Sequence, residues 1–130
     1  MKIVSILSRY LLGLIFTVFG LNGFLHFLHM PPPPSPVAIE FFTAVSVSHY
    51  MAVVFLVQVV GGVLLLAGRF VPLALTILGP VLVNILTFHI TMNPGGIVPG
   101  AVATVLWLIL FVRYRASFTG IFQAHPETQW

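Results

Sequence analysis

Val71–Ile90 reads VPLALTILGPVLVNILTFHI, about 20 residues without a single Asp, Glu, Lys or Arg. At a rise of about 1.5 Å per residue, a helix of this length crosses the roughly 30 Å hydrocarbon core of a bilayer. Pro80, Asn84 and His89 interrupt the apolar run. Spanning helices tolerate such residues where neighbouring helices or a water-filled cavity satisfy their polar groups. The stretch therefore predicts both a membrane segment and a polar spot inside the protein.

The composition agrees. Of 130 residues, 59% are hydrophobic and only 5% charged, with a mean hydropathy of +1.14, whereas a soluble domain carries about 25% charged residues. The length suits one domain. A net charge of +3 does not indicate nucleic acid, because the five basic residues are dispersed at predicted helix ends and not gathered on one face. The chain has no cysteine, which excludes thiol catalysis, CxxC redox chemistry, disulfides and thiolate-held clusters.

Three further apolar runs flank the first. Tyr10 to Phe27 or Leu28 follows a basic start and lacks an A-x-A-like cleavage site, so it reads as a retained span and not as a signal peptide. Gly13, Thr17, Gly20 and Gly23 supply small residues for close helix contact. Pro31–Pro34 predicts an extended, rigid connector. Ser35-Pro36 then predicts an N-cap and first helical position for a short interfacial helix reaching about Ser46. A second span covers about 50–67, with Gln58 near its centre and the pair Gly61–Gly62 one turn on. Gly68-Arg69-Phe70 is a tight turn that makes the second and third spans antiparallel neighbours. The fourth span covers about 98–114, opens at Pro99 and carries Trp107. From Ala116 to Trp130 the tail reads as solvated, with Phe118, Ile121 and Phe122 resting on the membrane surface.

The expected fold is an all-α membrane protein, a four-transmembrane-helix bundle with a short interfacial helix between the first two spans. Four crossings put Lys2, Arg9, Arg69, Arg113 and Arg115 on one side, which the positive-inside rule assigns to the cytoplasm. Both termini are then cytoplasmic, in the cell inner membrane.

The same rise places Gln58 about 16 Å and Asn84 about 22 Å from Arg69, and Asn22 about 20 Å and His26 about 26 Å from Arg9. His49 and His89 fall at the outer boundary, so four of the five histidines gather opposite the arginines. Asn22 and His26, four apart, are expected on one helical face. Two accounts of these residues stand side by side. In one, Asn22, Gln58 and Asn84 bond between helices and the histidines reach interfacial water. In the other, Asn22, His26, Gln58, Asn84 and His89 line an outer-leaflet cofactor site. A quinone headgroup would be held there in an aromatic cleft, or His26 and His89 would ligate a b-type haem or a metal ion. No HxxxH or HxH spacing marks a closed metal site, and Glu40 is the one nearby carboxylate.

LGLIFTVFGLNGFLHFL, MPPPPSP, VQVVGGVLLLAGRFVPLAL and GPVLVNILTFHI occur in this order, and together they resemble the DoxX family of small bacterial and archaeal membrane proteins over roughly 9–115. The resemblance implies a four-helix membrane protein. It further implies association, in some members, with sulfur or thiosulfate oxidation coupled to quinone, or with redox and detoxification complexes. Gly20, Asn22, Gly61, Gly62, Asn84 and His89 match the family's pattern. Gln58 stands where the family often has an acidic residue, so a proton relay at that depth lacks its titratable group. Gly23 stands where some branches carry a basic residue.

Three functions follow as expectations. The first is an accessory or quinone-facing subunit of a membrane redox complex, with no catalytic constellation of its own. The second is a small-solute transporter or channel, aided by a third span broken at Pro80. The third is a structural or assembly protein without a ligand. The expected partners are the lipid bilayer, other membrane subunits or further copies of the chain, and no nucleic acid.

Overall fold

A computed structural model describes residues 1–130 as an all-helical chain without strands. The helices are α1 (Lys2–Leu25), α2 (Pro36–Val47), α3 (Met51–Ala67), α4 (Val71–Met92) and α5 (Val98–Arg113), with short 3-10 helices at Pro94–Gly96 and Arg115–Phe122. Two helices, α1 and α4, are each long and apolar enough to cross a membrane. The number rises to four if α2 with α3, bent by 84°, and α5 with the 3-10 helix after it, bent by 83°, each count as one span.

The first apolar run differs from expectation at both ends. Its helix begins at Lys2, eight residues before Tyr10, and stops at Leu25. Nothing from Lys2 to Arg9 breaks a helix, and Ser5 ties its hydroxyl to the Met1 carbonyl at 2.8 Å. The stop is set by His26, which takes a left-handed conformation (φ 52°) and donates its N–H to the Asn22 carbonyl. Ser35 and Pro36 act as predicted: the Ser35 hydroxyl accepts from the Ala38 N–H at 3.2 Å, with Pro36 in the first turn of α2. That hydroxyl also donates to the Met92 carbonyl at 3.0 Å, tethering α2 to the end of α4.

Gly68 (φ 67°) caps α3 in the left-handed region, where a side chain is strained, and so turns the chain into α4. Pro80 removes one backbone donor, yet α4 runs unbroken from Val71 to Met92. The broken third span expected for a transporter is therefore absent.

Helix α1 packs chiefly against α3 and α5, and α4 against the same two, so α1 and α4 stand on opposite corners. The α1–α3 seam is the most extensive. Gly13 lies against Leu66 and the Gly62 carbonyl, Gly20 against Val59, and Gly23 against the Phe55 ring. The glycine pair serves two neighbours: Gly62 faces Thr17 and Gly13 of α1, while Gly61 faces Leu78 of α4. Two adjacent residues point about 100° apart around a helix, so α3 approaches both partners closely at one level.

The core joins Leu12, Phe16, Leu65, Leu75, Leu78, Leu110 and Phe118. Phe118 is a correction to the sequence reading, since it is buried with its ring centroid 5.0 Å from that of Phe111 and does not rest on the outside. Large apolar side chains cover the exterior of every long helix, among them Leu7, Leu14, Leu56, Val63, Leu73, Val83, Val105 and Leu108. Helices apolar all round but buried on one side only are compatible with a membrane as their solvent.

Candidate functional site

The five residues expected to share a site take separate roles. Asn22 is half-buried, and its Oδ1 accepts from the Leu28 N–H at 2.7 Å, closing the turn after α1. His26 lies beyond the helix and exposed, so it does not share a helical face with Asn22. Backbone geometry decided this: one residue with φ of 52° ends the 3.6-residue period on which the spacing depended. Gln58 is 7% exposed, inside the α1–α3 seam beside Gly20. Asn84 faces outward, and its Nδ2 donates to the Pro80 carbonyl at 2.9 Å.

His89 is half-buried and close to Phe88, whose centroid is 5.1 Å from the imidazole. Its Nδ1 lies 2.9 Å from the Ile85 carbonyl, which can only accept, so Nδ1 supplies the proton of that bond. Phe88 also meets Phe41 and Phe42 of α2, at 5.5 and 5.0 Å between centroids. This aromatic cluster and the Ser35 tether hold α2 over the end of α4.

The helices that precede His26 and contain His89 stand on opposite corners, and no three His, Cys, Asp or Glu side chains come together. Two cavities are lined by other residues. One is an open groove of about 420 Å³ between the proline connector and α2, bounded by Pro33, Ile39, Phe42, Thr43, Ser46 and Val47. The other, of about 110 Å³, sits at the opposite end among Lys2, Ser5, Ile6, Arg9, Arg113 and Tyr114.

Two residues carry more than their spacing suggested. Arg9 lies within α1, and its Nη1 donates to the carbonyls of Leu65 and Leu66 at 2.5 and 3.4 Å, satisfying the end of α3. It stacks over the Tyr10 ring at 4.5 Å and crosses Gly68, where a Cβ would come within 2.6 Å of Nη1. Trp107 donates Nε1–H to the Leu75 carbonyl of α4 at 2.9 Å and stacks on Phe111 at 5.2 Å. The signal for Trp107 was available: a lone indole inside an apolar run needs an acceptor.

The exposed face of α4 is the other unusual surface. Thr76, Asn84, Thr87 and Thr91 all point outward from a helix whose only other polar side chain is His89. Each folds back on its own helix, to the carbonyls of Pro72, Pro80, Val83 and Thr87. A threonine hydroxyl spends its one proton this way, but the Asn84 amide retains a second N–H and a carbonyl oxygen. Comparison with protein-family models, with curated proteins and with solved structures gives no match.

Proposed function

We propose that this chain is a DoxX-like, multi-pass protein of the cell inner membrane, with four spans, both termini cytoplasmic and α2 lying at the outer interface. It acts as an accessory subunit of a membrane redox complex, contributing a docking helix in place of a cofactor. The observation that carries this reading is the outward Asn84. In the proposed bilayer it lies about 20 Å along α4, where an amide with open hydrogen-bonding positions is costly and polar side chains normally face protein. A spanning helix of a partner subunit, packed on the Thr76–Thr91 face, supplies the missing hydrogen bonds. The apolar exterior of the other helices suits lipid.

The test is copurification in mild detergent, comparing the parent with Asn84→Leu. Interhelical hydrogen bonds in membranes contribute about 0.6 and at most about 1.7 kcal/mol, so partner retention is expected to weaken roughly three- to sixteen-fold. A colourless monomer that carries no redox-active partner, with or without the substitution, would sink the proposal. Self-association lost on Asn84→Leu would instead point to a second copy of the chain as the partner.

A further inference from the structure

We propose that the cavity between α1 and α5 at the basic end of the molecule binds one phosphate oxyanion, either the headgroup of an anionic lipid or free phosphate. Ser5, Ile6 and Arg9 fall three, four and seven residues after Lys2, on one face of α1. They meet Arg113 and Tyr114 from the end of α5 around about 110 Å³. Three of the five basic residues thus share one concavity. Cations that only mark topology can stay spread around the helix ends, as Arg69 and Arg115 do outside this cavity. Like charges brought together repel, and the chain supplies little to offset them. Its only acidic side chains, Glu40 and Glu127, are exposed, and neither lines the cavity.

The cavity is also organised in advance. Arg9 is held by the Leu65 and Leu66 carbonyls, while a guanidinium carries five N–H donors in a planar fork suited to phosphate. Buried Ser5 pins the first turn of α1 to Met1, so the positive end of a 24-residue helix opens beside the cations. A cavity of about 110 Å³ has room for a tetrahedral headgroup. A basic pocket between helices at the cytoplasmic surface is a recurrent form of anionic-lipid recognition. The lipid source rests on the membrane reading above, whereas the phosphate chemistry does not.

The experiment uses the full chain in a neutral detergent and reads bound lipid by native mass spectrometry and melting temperature by scattering. The probes are phosphatidylglycerol, phosphatidylcholine and inorganic phosphate, the last against chloride at matched ionic strength. Phosphatidylglycerol is expected to bind one per chain and phosphatidylcholine not at all. Lys2→Gln and Arg113→Gln should each weaken binding about fivefold, and Arg69→Gln should leave it unchanged. Stabilisation by inorganic phosphate that Arg113→Gln removes would support the site with a free anion as its occupant. If neither probe binds, or if Arg69→Gln costs as much as Arg113→Gln, the site is refuted and only diffuse surface charge remains. Release of the chain from membranes by a carbonate wash would overturn the membrane reading while leaving the phosphate result to stand or fall alone.

Discussion

Placing a methyl group at Gly62 and another at Gly79 should move stability in opposite directions, although both are glycine-to-alanine changes inside apolar helices. A Cβ at Gly62 would come within 2.6 Å of the Thr17 backbone nitrogen and 2.9 Å of the Gly13 carbonyl oxygen. Ordinary contact begins near 3.4 Å, so α1 must withdraw by several tenths of an ångström. Backbone atoms cannot rotate aside as a side chain can. Overpacking of this kind costs about 1–3 kcal/mol. Withdrawal also loosens Gly13 against Leu66 and Gly20 against Val59 along the same seam, and a gap of 0.5–1 Å forfeits about a quarter to a half of a dispersion contact. The upper part of that range therefore applies. The gain from replacing glycine within a helix, about 1 kcal/mol, leaves Gly62→Ala about 2 kcal/mol less stable.

At Gly79 the nearest atom to the added carbon is Cζ2 of Trp107, at 3.4 Å. That is a normal contact, so the helix-propensity gain survives and Gly79→Ala should be more stable by about 0.5–1 kcal/mol. Gly61→Ala falls between them, because its Cβ meets the Leu78 side chain at 2.6 Å and a buried leucine can shift only in part. The assay is reversible unfolding in mixed micelles with increasing sodium dodecyl sulfate, followed by far-ultraviolet circular dichroism. Two variants displaced the same way, or a Gly62→Ala midpoint equal to the parent's, would refute the α1–α3 packing described above.

Three other substitutions test separate contacts. The Thr17 hydroxyl is buried in the same seam without a partner, so Thr17→Val should stabilise by about 1 kcal/mol, read as a later midpoint in the same titration. Trp107→Phe deletes the bond to the Leu75 carbonyl and part of the stack on Phe111, and should cost about 1–2 kcal/mol. Ser35→Ala removes the α2 cap and its tether to Met92. It should cost about 1 kcal/mol and appear in hydrogen-exchange mass spectrometry as faster exchange over 36–47, with α1 and α3 unchanged.

The helices were legible because apolar runs, prolines and glycines act locally. Ser35-Pro36 opens α2, Gly68 closes α3, and α4 starts at Val71 as read. The glycine pair was visible, but not that its members serve different neighbours, since that depends on which helices flank α3. The bounds of the first helix were not legible for two reasons. Lys2, Ser5, Ser8 and Arg9 break up the apolar pattern ahead of Tyr10 without breaking a helix, and a modest preference of histidine for positive φ is too weak to announce the stop at position 26. Such a conformation is uncommon for any residue but glycine.

The candidate site was less legible because depth and direction are separate quantities. Counting residues puts Asn84 and His89 at a level in the bilayer, but whether their side chains meet anything depends on a choice between a neighbouring helix and their own. Both choose their own, at the carbonyls of Pro80 and Ile85. At the opposite end the choice goes the other way. Arg9 leaves its helix to bond α3, while Lys2 and Arg113 line one cavity between α1 and α5. Polar side chains therefore join the helices of one chain at its basic end, while on α4 they leave an amide half-satisfied on the outside. On the proposed docking of a second helix against α4, Asn84→Leu should weaken association yet leave the fold of the single chain intact.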